Sequence, residues 1–333
     1  MSRYQPPLTI TPSVLNLVVE IGELLGFWAA QAGRASPLLR KENRIRTIQA
    51  SLAIEHNSLT TGQVTAIMDG KRVLAPEKEI QEVRNAILAY DKMPVWKAWR
   101  LQDLLSAHRL LMTGLVDSPG QVRQGDVGIY RGSQLVHMAP PASQLSRLLD
   151  DLLSWLRNTE LHPLIASSVF HYEFEFIHPF LDGNGRMGRL WQTLILSQWR
   201  IELSWLPVET LIHHQQQRYY QILRECDKAS DCSAFVEFML MNIRSALQEG
   251  IAQKANVSEQ MSEQMSEQKT YFPTSMEVRI LQQLKQEPRS TAANLAAVLG
   301  VSARTVERHL QKLQHEGKLQ RAGARKGGFW RIL

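Results

Sequence analysis

His178-Pro179-Phe180-Leu181-Asp182-Gly183-Asn184-Gly185-Arg186-Met187-Gly188-Arg189 joins two apolar stretches of helical spacing. Upstream, Pro163 to Ile177 predicts a helix, with Pro163 at a favoured early position. Pro179 pushes the residue before it out of the helical region, so this helix should stop at His178 and present it on a loop. Downstream, Met187, Leu190, Trp191, Leu194 and Ile195 recur on one face, predicting a second helix from Gly185. Arg186 and Arg189 lie three apart in its first turn and can point together.

Gly183 and Gly185 allow close backbone approach, and the free N–H groups of a helix N-terminus follow them. That combination favours an anion, and two arginine forks suit phosphate. Without an anion, two cations at the positive end of a helix dipole are disfavoured. Asp182 offers a hard oxygen of the kind that nucleotide-borne Mg²⁺ takes. His178 titrates near neutral pH and can accept a proton from a hydroxyl. A calcium loop is excluded, because Arg186 falls where a third oxygen ligand is needed. A Walker loop is excluded, because no Gly-Lys-Ser/Thr follows. A plain tight turn with a helix-ending histidine would not need so many fixed positions in twelve residues.

The run resembles the signature of the Fic family, HPFx[D/E]GNGRxxR, and meets every fixed position. The resemblance implies a mainly α fold: a Fic-type helical core with a β-hairpin flap. It implies a nucleotidyltransferase that moves AMP from ATP to a Ser, Thr or Tyr hydroxyl of a protein. His178 would be the general base and Asp182 would hold Mg²⁺. Gly183, Asn184, Gly185 and Arg186 would cradle the α- and β-phosphates, with Met187 and Gly188 in the same nucleotide-binding run. Arg189 would hold the γ-phosphate. The likeness extends more weakly from about Leu38 to about Asn242.

Pro37 opens an earlier predicted helix to about Glu55, with Ile45, Ile48 and Leu52 as its buried stripe. It should end near His56-Asn57, where Asn can take a left-handed cap. Glu55 then stands in the last turn, where the helix dipole disfavours a carboxylate. On residues alone it reads as a solvated glutamate. The segment Ser51-Leu52-Ala53-Ile54-Glu55-His56-Asn57, however, resembles the inhibitory motif [S/T]xxxE[G/N] of autoregulated Fic proteins. That resemblance implies that Glu55 pairs with Arg189 and blocks the γ-phosphate. His56 departs from the Gly or Asn expected after the glutamate.

Glu77 to Tyr90, Ala98 to Gly114 and Ser143 to Asn158 predict further helices. His108 and His171 lie on amphipathic or apolar helices and read as structural; Glu173 and Glu175 are weaker candidate ligands beside His178. Val127 to Met138 alternates around Arg131-Gly132-Ser133 and predicts a β-hairpin. The Fic resemblance makes it the flap over the site, with Leu135, Val136, His137 and Met138 as the edge that pairs with a target segment. Tyr219 and Tyr220 match an aromatic pair that lines the adenine and ribose pocket in that family.

A chain of 333 residues suggests two or three domains. We expect an N-terminal helical region at 1–95 with the inhibitory helix at about 37–56, a catalytic core at 96–249 and a polar linker at 250–274. The linker carries a Ser-Glu-Gln-Met repeat without a core stripe, read as a solvated helix or disordered, with partial helix favoured. Residues 275–333 are a separate unit. From Ser275 onward there are eleven Lys and Arg against four Asp and Glu, a net of +7, so the preceding 274 residues sum to −1. Three short helices, with Ser302 as a cap, precede two strands around a Gly-rich basic tip. This order resembles a winged helix-turn-helix, which implies duplex DNA as partner. Arg304, Thr305 and Arg308 would meet the major groove, and Arg325 and Lys326 the phosphates. A protein-docking or dimerising use of the unit, hence a homodimer, stays open.

Only Cys226 and Cys232 occur, which excludes a disulfide framework or zinc finger and fits a reducing, cytoplasmic setting. Neither a basic-then-apolar leader in Met1–Ser13 nor a bilayer-length apolar run is expected, so no membrane partner. The expectation is an autoinhibited protein adenylyltransferase using ATP and Mg²⁺. Its target is another protein or the chain itself. The alternatives are removal of AMP, with Glu55 placing a water, and a DNA-binding regulator whose pocket senses a nucleotide.

Overall fold

The computed structural model describes residues 4–32, 37–131, 134–270, 276–323 and 328–333, with side chains described except at 29–32, 130–131, 134–136 and 253–270. It divides into two compact units, Met1–Ala255 and Asn256–Leu333.

In the first unit, α1 (Pro12–Ala32), α2 (Pro37–Ile54), α3 (Thr61–Met68) and α4 (Glu77–Lys92) form the N-terminal region, followed by α5 (Leu101–Met112). Strands β1 (Gly128–Arg131) and β2 (Gln134–Met138) make an antiparallel hairpin. Then come α6 (Leu145–Asn158), α7 (Pro163–Ile177), α8 (Asn184–Trp199), α9 (Val208–His214), α10 (Gln216–Ala229) and the start of α11 (Ser233–Thr270), which continues past Ala255. The α7 and α8 pair is the centre of the core. Phe170, Phe174, Leu190, Trp191 and Leu194 are all fully buried there. An α7 buried almost throughout explains why its sequence shows little amphipathic contrast. The amphipathic α6 instead buries one stripe, Leu145, Leu149, Leu152 and Leu153, against that centre.

Two details differ from the sequence expectation. The helix beginning at Ser233 runs on through the Ser-Glu-Gln-Met repeat to Thr270, so the repeat is helical throughout where a partial helix was expected. Its Met, Gln and Glu are good helix formers and no Pro or Gly interrupts them. The cap after α2 is also different. His56, not Asn57, takes the left-handed conformation, with φ 70°. The N–H of Asn57 reaches Leu52 O and that of His56 reaches Ala53 O, the paired bonds of a Schellman turn.

The second unit holds α12 (Met276–Gln286), α13 (Ala292–Leu299), α14 (Ala303–His315), β3 (Leu319–Ala322) and β4 (Phe329–Ile332). Ile280, Leu284, Leu295, Val306, Leu310 and Leu313 form its own small core. Thr291 and Ser302 cap α13 and α14 through their hydroxyls. Gly300 supplies the left-handed turn between those two helices. Among the described residues no helix is long and apolar enough to cross a membrane.

Candidate active site

His178 is the left-handed cap of α7, at φ 50° and ψ 60°, with its N–H on Phe174 O. A non-glycine residue pays for that conformation and needs its surroundings to enforce it. The enforcing residue is Arg123, which the sequence reading missed. Its Nε donates to His178 O at 2.8 Å, its Nη1 to Gly125 O at 2.8 Å, and its Nη2 to Pro140 O at 2.6 Å and Ile177 O at 3.4 Å. Its backbone N–H bonds Pro179 O. One buried guanidinium therefore ties both ends of the hairpin segment to the histidine loop. Burial pulls the His178 pKa below its usual value; Glu175 opposes this, and the cations at His137 and Arg123 add to it. The ring is thus held neutral and proton-accepting.

The turn after it is closed by polar staples. The Asn184 amide bonds both the N–H and the carbonyl of Phe180. The buried His108 stacks on Phe180, centroids 3.6 Å apart. His108 Nδ1 accepts from Gly120 N–H, so Nε2 carries the proton and donates to Asp182 O at 3.0 Å. Burial drops its pKa to about 4, so it stays neutral, and its role is structural, as expected. Gly183 sits at φ 84°, and a Cβ there would run into Met112 Sδ. The half-exposed Asp182 uses Oδ1 to accept from Gly183 N–H and Arg186 Nη2.

In the expected phosphate run Met187 is fully buried and its N–H bonds Gly183 O. Gly188 packs closely on α7: a Cβ there would meet His171 and Glu175. His171 itself is buried between Gln192 and the Tyr219 hydroxyl.

The two arginines are both occupied by carboxylates. Arg189, 2 % exposed, donates from Nη2 to Glu55 Oε1 at 2.8 Å and to Ser51 O at 2.9 Å, and from Nε to Ser51 Oγ at 3.0 Å. Its Nη1 is buried without a hydrogen-bond partner among the described residues. Gly185 makes the contact sterically open, because a Cβ there would collide with Glu55 Oε1. The end of α2 is held from α10: Gln216 Nε2 and Tyr220 OH both donate to Ile54 O. Arg186 meets a carboxylate that the sequence reading did not select, Glu82 of α4, at 3.3 Å. The other oxygen of Glu82 accepts from Asn57 Nδ2 at 2.8 Å.

Glu55 and His178 open onto a cavity of about 420 Å³, lined also by Gly185, Tyr219, Tyr220 and Asp227 among others. That size suits a nucleotide-like ligand. His137 of β2 also lines it, whereas Met138 is exposed. The side chains of Leu135 and Val136 lie outside the described residues.

The Fic/DOC family model matches residues 98–196. A Fic family protein from Desulfovibrio desulfuricans G20, known as a crystal structure, is 47% identical, with TM-score 0.73 over 99% of this chain and 98% of that one. The chain belongs to the Fic family. Curated relatives named protein adenylyltransferase Fic include those of Drosophila erecta, 31% identical over 60% of this chain and 40% of that protein, and Nematostella vectensis, 27% identical over 60% and 47%. This chain therefore spans less than half the length of these relatives. Fic-1 of C. elegans shares the fold at 20% identity, TM-score 0.59, over 73% of this chain and 74% of that one.

A winged helix-turn-helix DNA-binding model matches residues 275–320. Arg304 and Arg308 are exposed on α14, while Thr305 is half-buried with its hydroxyl 2.8 Å from that of Ser302 at the helix cap. Arg325 and Lys326 lie outside the described residues.

Proposed function

We propose that this Fic protein is an adenylyltransferase that moves AMP from ATP to a protein hydroxyl and is restrained by Glu55. The observation that carries the reading is a neutral histidine beside a nucleotide-sized cavity, with two arginines in the adjoining first helical turn. His178 would take the proton of the attacking Ser, Thr or Tyr hydroxyl. The hydroxyl oxygen would bond to the α-phosphorus as the bond to the pyrophosphate oxygen breaks. Pyrophosphate leaves, and the proton passes from His178 to solvent. Arg186 and Arg189 would stabilise the leaving charge, and Tyr219 and Tyr220 would line the nucleoside end.

Asp182 fits Mg²⁺ carried in by the nucleotide. Its carboxylate is 53 % exposed, and Oδ2 makes no hydrogen bond among the described residues. Mg²⁺ there would neutralise phosphate charge. Glu55 occupies the fork that the γ-phosphate needs, which is the support for autoinhibition. The same carboxylate at the cavity wall also supports AMP removal as a second direction, with Glu55 orienting a water. The targets are a protein of unspecified identity or the chain itself, and the two buried free cysteines suit a cytoplasmic setting.

The test is transfer from ATP labelled at the α-phosphate, with Mg²⁺, followed on total protein. His178→Ala should lower labelling by about 10²–10⁴-fold while ATP binding survives. The base works neutral and its pKa is depressed, so wild-type labelling should persist to below about pH 6.5 before falling. Unchanged labelling by His178→Ala would remove the assignment. The match at 275–320 favours a second, compatible reading, DNA binding by a regulator that uses the pocket as a nucleotide sensor.

A further inference from the structure

The hairpin is held to the core by a histidine. In β2 the register shifts between the pairs Ile129–His137 and Tyr130–Leu135, which leaves Val136 as the extra residue of a β-bulge. Bulges re-aim the side chains beside them. His137 sits at that point, and its ring is about nine-tenths shielded. It stands edge-on to Phe176, centroids 5.2 Å apart. Both of its nitrogens face acceptors: Nε2 is 2.9 Å from Phe176 O, and Nδ1 is 2.9 Å from Asp227 Oδ2. A carbonyl and a carboxylate cannot donate, so each contact needs a proton on the ring nitrogen, and the ring that satisfies both is the imidazolium.

The two partners belong to different walls of the cavity. Phe176 is two residues before His178 on α7, and Asp227 is on α10 with Tyr220. Asp227 is itself braced by Tyr172 OH at 2.9 Å. We propose that His137, as an imidazolium, is a positioning residue that pins the flap strand across α7 and α10, and that loss of its proton releases the flap and sets the alkaline limit of transfer. The part about transfer rests on the function proposed above; the pin itself does not.

The charged surroundings agree. Burial disfavours the cation, but Asp227, the Phe176 carbonyl and Glu175 outweigh it and raise the His137 pKa above its usual value. Among the described residues, other titratable groups near this pair include Tyr172 and Glu173 of α7, His178 at its cap, and Tyr219, Tyr220, Arg224 and Cys226 of α10. A histidine with a raised folded-state pKa contributes fully below its unfolded value, about 6.5, and loses that contribution as pH rises through the folded value. The same cation depresses the pKa of His178. Pin and base thus favour one window, above the lowered value of His178 and below the raised value of His137.

Two measurements on the full chain test this. The first follows the ring ¹⁵N signals of His137 against pH, assigned by their loss in His137→Gln. Both nitrogens should be protonated at neutral pH, with a midpoint above 6.5 that falls by about one unit or more in Asp227→Asn. A neutral ring at neutral pH, or a midpoint indifferent to Asp227→Asn, overturns the pin whether or not the chain transfers AMP. The second is self-labelling by Glu55→Gly with and without His137→Gln across the neutral to alkaline range. The parent should lose labelling at least about threefold as pH rises through the His137 midpoint, and His137→Gln should be low and flat there. An alkaline fall that survives in His137→Gln overturns the positioning role. If no variant labels at all, the proposed transfer has failed, and the ¹⁵N titration still decides the pin.

Discussion

Arg123 Nε donates to His178 O at 2.8 Å across 55 residues of chain. The guanidinium gives its other donors to the Gly125, Pro140 and Ile177 carbonyls. A lysine cannot reproduce a planar fork with separated donors. Arg123→Lys should cost on the order of 1–3 kcal/mol in thermal unfolding and lower transfer at least about tenfold, through loss of His178 geometry. An unchanged rate would mean that α7 alone positions the base.

Glu82 joins the first signature arginine to the residues that end α2. One oxygen holds Arg186 and the other holds Asn57, and Glu79 O also takes an Asn57 proton. Groups in one network do not act independently. Glu82→Gln and Asn57→Ala should each destabilise, and the double variant should depart from additivity by about 0.5 kcal/mol or more. Additive unfolding energies would show that Glu82 serves Arg186 only.

His56 occupies a left-handed position that glycine takes at no steric cost. His56→Gly should raise stability by about 1 kcal/mol, less the entropy that glycine adds to the unfolded chain. It should also slow self-labelling, because a better-terminated α2 keeps Glu55 in place. A lower midpoint in thermal unfolding would mean that the imidazole makes a contact worth more than the backbone strain.

The basic unit predicts duplex DNA binding that weakens as salt rises, through counterion release. Arg304→Ala and Arg308→Ala, which would remove groove contacts, should each cost about 1–3 kcal/mol for a preferred site and relax sequence preference, with little change in the salt slope. A uniform loss across sequences with a shallower salt slope would place these arginines on the phosphates instead.

Much of this was legible in the chain. The signature loop announces itself because Pro, Gly and Arg act locally at fixed spacing; the helix before it keeps its expected bounds, and the one after it starts within a residue of expectation. The small cores of the two units follow their periodic apolar residues. Glu55 was legible only through family likeness, since a last-turn glutamate alone reads as solvated. Arg123, Glu82 and the His137–Asp227 pair were not legible, because each partner lies 55 to 104 residues away or on a separate element, and no local pattern marks such a pairing. The packing of Met187 and Gly188 was not legible either, because residues in the first turn of α8 face the core as well as the loop.

The central claim is that the Glu55–Arg189 contact withholds the γ-phosphate site. Arg189 keeps its two bonds to Ser51 when Glu55 is removed, so the fork should stay in place and become available. The deciding measurement is a time course of labelling from α-labelled ATP by wild type, Glu55→Gly, and Glu55→Gly with His178→Ala. Glu55→Gly should label at least about tenfold faster than wild type, equivalent to about 1.4 kcal/mol of barrier, and the added His178→Ala should abolish the gain. Labelling by Glu55→Gly that is equal to or slower than wild type would contradict the account and assign Glu55 to AMP removal instead.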